Sequence, residues 1–276
     1  MKNWLSSIRT ILFLNLIMAA CAPAVPTATP VSTQEPSPTN EPLLITPVES
    51  AFAPENATAA PLDDIIRTHS VTFNTTDGAT VNGELYGSGK TAVVFSVMGN
   101  CKPGWREFAQ LTAAQGFMAL AYQWHACRES GSTDENELQK FVEDARAAVN
   151  FVRERGAEKI ILVGASLGGV ASAKLAIESQ ASGLVILASP PSIPQWGFEI
   201  EPDDLNTDIP KLFITAENDD TVPADSMRAL YDLAAEPKEW QTYPGTAHGS
   251  DLFEGESGPE LQQRILGFIQ MVAQGK

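Results

Sequence analysis

From Val71 onward, short apolar runs alternate with longer stretches of helical spacing. Residues 92–97, 117–122, 159–163, 184–188 and 211–215 are brief and almost wholly apolar. A strand reads that way only when both of its faces are covered. Between the runs lie helical patterns over 105–115, 134–155, 166–179, 224–235 and 260–273. Gly116 and Gly156 stop two of them. Residues 71–73 and 81–86 flank Thr76-Asp77-Gly78, a hairpin signal, and 240–243 supplies one more strand. An opening hairpin followed by repeated strand–helix units predicts an α/β fold, with one mostly parallel sheet of eight strands and helices on both faces.

The N-terminal part reads differently. Lys2 and Arg9 flank the start of an apolar run over 11–20. That run is about half the ~20 residues a membrane span needs, so residues 1–20 read as an export signal. It ends Leu16-Ile17-Met18-Ala19-Ala20-Cys21, which resembles the lipobox of bacterial lipoproteins, with Met18 where Leu is usual. The resemblance implies acylation of Cys21 and anchoring to the membrane on its extracytoplasmic side. Residues 22–62 then carry nine Pro and no Gly, Lys or Arg. Pro removes backbone donors, and Thr, Ser and Ala offer little bulk for a core. The expected organisation is a signal over 1–20, a lipidated Cys and extended tether over 21–62, and one folded domain over 63–276. At roughly 3.1 Å per residue the tether could hold that domain up to ~100 Å from the lipid.

Charge and cysteine content narrow the function. The chain has 34 acidic and 18 basic residues, a net charge of -16, which argues against a nucleic-acid partner. Its Cys residues (21, 101, 127) and His residues (69, 125, 248) match no zinc-ligand spacing. No metal and no cofactor is expected, and the domain reads as a monomer.

The informative motif is Gly164-x-Ser166-x-Gly168, set between the apolar run 159–163 and a small-residue helix. Small neighbours let strand and helix approach, and a tight turn lifts the serine hydroxyl above the sheet edge. With this context the chain resembles an α/β-hydrolase over about residues 65–274. In that family the triad runs Ser, acid, His along the chain. The stretch Ala216-Glu217-Asn218-Asp219-Asp220-Thr221-Val222-Pro223 resembles the family's G-x-x-D-x-x-V-P, with Ala216 replacing Gly. It points to Asp219 as the acid, with Asp220 as its local rival. Tyr243-Pro244-Gly245-Thr246-Ala247-His248-Gly249 resembles the His loop and points to His248 as the base.

The resemblance also implies the oxyanion donors, the backbone N–H groups of Leu167 and Asn100. Met98 stands where the family often has His, and a backbone donor survives that change. The family's sheet order makes the third and fourth strands neighbours, so Cys101 and Cys127 are expected to form a disulfide clamping the oxyanion loop. Two buried thiols are the alternative. Candidate pocket walls are Met98, Trp105, Trp124, His125 and Trp196. Only residues 190–210 intervene where many relatives insert a lid, so no large lid domain is expected. The expected activity is cleavage of small or medium carboxylic esters through an acyl-enzyme. A peptidase, a thioesterase, an acyltransferase or a non-catalytic binding module on the same scaffold are the alternatives.

Overall fold

The structure is a computed structural model that describes residues 68–275 except Glu129 and Gly131. The export signal over 1–20, Cys21, the tether over 21–62 and the start of the domain at 63 lie outside the described residues. Eight strands form one sheet: β1 (His69–Asn74), β2 (Thr80–Tyr86), β3 (Thr91–Ser96), β4 (Met118–Gln123), β5 (Lys159–Ala165), β6 (Gly183–Leu187), β7 (Lys211–Ala216) and β8 (Lys238–Tyr243). Their order is β1-β2-β4-β3-β5-β6-β7-β8. The pairs β1–β2 and β2–β4 are antiparallel and the rest parallel. Every residue of β6 and β7 is buried. Side chains alternate between the faces of a strand, so both faces must be covered.

The cover comes from α1 (Arg106–Ala114), α3 (Phe141–Glu154), α4 (Leu167–Leu175), α6 (Ala224–Leu233) and α7 (Gly258–Ala273). The pattern over 134–155 is not one helix. Asp134 caps a single turn, α2 (Glu135–Leu138), by accepting from the Asn136 N–H at 3.2 Å, and the chain bends at Gln139 and Lys140 before α3 begins. Leu138 and Phe141 are both buried and keep a three-residue spacing across the bend, so periodicity alone cannot register it. The pattern over 166–179 also overshoots: α4 ends at Leu175. Residues 190–210 hold a ribbon pairing Ser192–Ile193 with Phe198–Glu199, a 3-10 turn Pro194–Trp196 and the short α5 (Pro202–Leu205), and no lid domain.

Register sets where the chemistry can sit. Ser96 of β3 lies opposite Tyr122 of β4 on one side and Gly164 of β5 on the other. The loops after β3, β4 and β5 therefore leave from one sheet edge, and those after β7 and β8 leave from the same end of the parallel strands. Strand order runs outward in opposite directions from the β3–β5 pair, the place where open α/β sheets form crevices.

Glycines make the approach at that edge possible. A Cβ on Gly164 would overlap the Gly168 carbonyl, and one on Gly168 would overlap the Ser96 carbonyl. Gly267, exposed within α7, has open space around it. The same substitution should therefore act with opposite sign. Gly168→Ala forces backbone apart and should destabilise by at least ~1–3 kcal/mol. Gly267→Ala should stabilise by about 0.5–1 kcal/mol, because Gly in a helix interior loses more backbone freedom on folding. Thermal unfolding of the two variants measures both.

Candidate active site

Strand β5 delivers Ser166 to the edge, and the turn there is sharp. Ser166 has φ 52° and ψ −117°, a conformation L residues avoid. Such strain costs of order 1–3 kcal/mol and persists only where surroundings over-determine it. Here the Ser166 N–H donates to the Leu187 carbonyl at 2.8 Å, and the Ser166 carbonyl accepts from Gly169 and Val170 at 3.0 and 3.3 Å. Ser166 itself is half-buried. It caps the N-terminus of α4, where the first amides, Leu167 foremost, have no acceptor within their own helix and the helix dipole is positive.

The loop after β7 places Asp219, and the loop after β8 places His248. His248 Nδ1 lies 2.9 Å from Asp219 Oδ2 and 3.1 Å from Oδ1. Asp219 Oδ1 also accepts from the backbone N–H groups of Thr221 and Val222, both at 2.9 Å. Those two bonds fix the carboxylate, and its side chain is fully buried. The neighbouring Asp220 is exposed, and its carboxylate accepts only from the Thr221 hydroxyl at 3.3 Å. Backbone bonds join the two loops: Glu217 N–H to the Tyr243 carbonyl at 2.9 Å and Asn218 N–H to the Gly245 carbonyl at 3.0 Å. With Nδ1 taken by Asp219, the other ring nitrogen of His248 is free. Nε2 is buried and has no hydrogen-bond partner among the described residues.

Ser166 and His248 line one cavity of about 520 Å³, which Met98, Gly99 and Asn100 border from the β3 loop. Asp220, Thr221, Thr246 and Asp251 complete a mainly polar wall. Thr221, Thr246 and Asp251 were invisible in the sequence, where each is an ordinary loop residue. Leu167 lies under Gly99, so the N-terminus of α4 and the loop carrying Asn100 touch. Met98 is buried, with its sulfur packed beneath Gly249 next to His248. Among the described residues no group of three or more His, Cys, Asp or Glu is arranged to hold a metal ion. His69 lies on β1 and borders neither Ser166 nor this cavity.

Four of the candidate pocket walls lie elsewhere. Trp124 is buried, and its indole N–H donates to the Met98 carbonyl at 3.1 Å. Trp105 is buried too and donates to the Ser96 carbonyl at 2.9 Å. A buried indole needs an acceptor, and both find one in the β3 loop, so they brace the loop from behind. Trp196 packs on Phe141, ring centres 6.2 Å apart. His125 is turned away from the cavity, with Nδ1 2.7 Å from Asp144 Oδ1 and Nε2 3.0 Å from Glu137 Oε2. Burial pushes the His125 pKa down, but Glu137 and Asp144 outweigh it and the net direction is up. Burial raises the Asp144 carboxyl, and His125 opposes that.

Cys101 and Cys127 are joined as a disulfide that ties the β3 loop to the turn after β4. The bond closes a stretch of sequence separation 26. Both cysteines should resist alkylation in denatured protein until reductant is added. Replacing both by Ser should lower stability by about 2–4 kcal/mol, as loss of a link closing a loop of this length does, measured by urea unfolding.

Similarity to known proteins is found at the level of family and fold. Residues 98–254, more than half of the chain, match the model of a family described as the alpha/beta hydrolase family. The uncharacterised protein YfhR of Salmonella typhi is 24% identical over 269 residues, covering 83% of this chain and 90% of that protein. Among solved structures, an esterase domain from Rhodothermus marinus superposes with a TM-score of 0.60 at 17% identity, covering 73% of this chain and 97% of that one. The Pyrococcus furiosus esterase Pf2001 superposes with a TM-score of 0.60 at 16% identity, covering 78% and 96%.

Proposed function

Since the chain belongs to the alpha/beta hydrolase family, we propose that it hydrolyses carboxylic esters of small or medium acyl groups through an acyl-enzyme on Ser166. One observation carries this reading. A serine on a strained bend shares a cavity with an imidazole whose Nδ1 is held by a buried carboxylate and whose Nε2 is unpartnered. An unpaired buried ring nitrogen is costly to leave without a role. It is the atom a base would use toward the Ser166 hydroxyl.

In the proposed reaction His248 takes the Ser166 proton as the oxygen attacks the ester carbonyl carbon. Asp219 holds the ring in the Nδ1–H form and stabilises the imidazolium. The amides of Leu167 and Asn100 receive the negative charge on the former carbonyl oxygen. His248 then gives its proton to the departing alcohol. Water repeats the sequence on the acyl-enzyme and releases the acid. Solved structures with this fold include esterases, and among the described residues no lid domain covers the cavity, which suits small substrates arriving directly from solvent.

A labelled fluorophosphonate should react at Ser166, and Ser166→Ala should abolish the labelling. The same variant should lower hydrolysis of p-nitrophenyl acetate by at least ~10⁴, as loss of a triad nucleophile does. Retained turnover in Ser166→Ala overturns the proposal.

We further propose that the domain is exported and held at the membrane by lipid on Cys21 at the end of an extended tether. The support is the signal-like sequence up to Cys21 and the Cys101–Cys127 disulfide, since disulfides persist in oxidising compartments. Full-length protein expressed in a bacterium should partition into the detergent phase of Triton X-114. Cys21→Ala should move it to the aqueous phase, and an aqueous wild type refutes the anchor.

A further inference from the structure

The end of β4 and the turn after it meet the end of β3 and its loop at four points. The Ser96 hydroxyl and the Tyr122 hydroxyl are 2.8 Å apart. The Gln123 amide donates to the Cys101 carbonyl at 3.4 Å. Trp124 donates to the Met98 carbonyl, two residues before Asn100. Cys127 is bonded to Cys101, the residue after Asn100. The loop that borders the cavity is therefore shaped by the turn behind it. The turn has left the sheet by Trp124, so something else must hold it.

That hold comes from α3. Asp144 lies within α3 and is fully buried. Its Oδ2 accepts the His125 backbone N–H at 2.9 Å, and its Oδ1 faces His125 Nδ1 at 2.7 Å. A buried carboxylate is expensive to desolvate, and an apolar residue of similar size would pack there more cheaply. Its two bonds to His125 are the compensation. On the far side of the ring, Glu137 of α2 faces Nε2. Lys140 lies 2.8 Å from Glu137 and 3.3 Å from Asp77, and Arg128 of the same turn pairs with Asp134 at 2.6 Å. His125 borders no part of the cavity, so it serves neither as base nor as substrate contact.

We propose that His125 and Asp144 are positioning residues for hydrolysis: they pin the turn to α3 so that Trp124 and Cys127 hold the Asn100 amide where the oxyanion forms. The proposal rests on the reading of Ser166 as nucleophile and of the Asn100 amide as a donor. It has a pH signature. When His125 is protonated, both ring nitrogens donate, one to each carboxylate. The group's pKa is raised, so the full brace is present below the ordinary value and is lost as pH rises through the raised one. Deprotonation leaves an Nε2 lone pair against the Glu137 carboxylate. His125 therefore sets an alkaline limb of activity.

The test is steady-state hydrolysis of p-nitrophenyl acetate across pH by wild type, Trp124→Phe, His125→Gln and Asp144→Asn, with circular dichroism to verify folding. Each variant should lower kcat about tenfold or more, a fraction of the ~10²–10³ that deleting a donor costs, with KM within about twofold. The alkaline limb of kcat should be present in wild type and absent from His125→Gln. Should Asp144→Asn not fold, His125→Gln, which carries an amide donor but does not titrate, decides by its kcat and its alkaline limb. Unchanged kcat in the folded variants, or an alkaline limb that is missing in wild type or survives in His125→Gln, overturns the proposal. Fluorophosphonate labelling separates the two levels. A labelled, active wild type with unaffected variants refutes the positioning role alone. A wild type neither labelled nor active refutes the underlying reading and the positioning role with it.

Discussion

Ser166 occupies a backbone conformation that a short peptide would leave at once, and much of the molecule is arranged to keep it there. The bend needs α4 to start against the end of β5 with no side chains between them, which the glycines at 164 and 168 permit. It also needs fixed partners, which the Leu187 carbonyl and the first turn of α4 provide. The same closeness brings Gly168 against the Ser96 carbonyl, so the helix that carries the bend is docked on the strand that launches the loop of Met98 and Asn100. One steric condition thus locates Ser166 and the loop of Met98 and Asn100, one half of the cavity, relative to each other.

The other half is built by coupling loops rather than by strain. Just before Asp219 the acid loop donates two backbone hydrogen bonds to the segment just before His248, so the carboxylate and the ring are placed relative to each other. Asp219 is further held by two amides of its own turn. Such double anchoring limits how far the ring can wander from Ser166, which is the kind of pre-arrangement that oriented catalysis depends on. Met98 adds an apolar contact between the two sides, its thioether resting under Gly249.

The strand–helix alternation was plain in the sequence because parallel strands buried on both faces leave unbroken apolar runs; the five such runs, the two arms of the hairpin and residues 240–243 are the eight strands. The bend at 164–168 was readable because only glycine tolerates such contact. Asp219 and His248 were readable by resemblance, since their distance in sequence says nothing of their approach in space. What escaped was set by tertiary contacts. The helix over 134–155 looked continuous because Leu138 and Phe141 keep the spacing across the bend. Trp124 and His125 looked like pocket walls because they follow a strand toward the site, but a buried indole and a ring between two carboxylates are fixed by partners far along the chain. Asp144 sits inside an apparently ordinary amphipathic helix, and the one available sign was an acid on that helix's apolar side.

The excursion between β6 and β7 is fastened by its buried Ile193, Ile200 and Leu205, by Trp196 and Phe198 on Phe141, and by Asp204 on Lys174. None of the strands that aim Ser166, Asp219 or His248 passes through it. Residues 190–210 can therefore lengthen, shorten or change character while the reacting groups keep their mutual alignment. In a lineage built on this plan, that excursion and the alignment of Ser166, Asp219 and His248 can diverge at separate speeds.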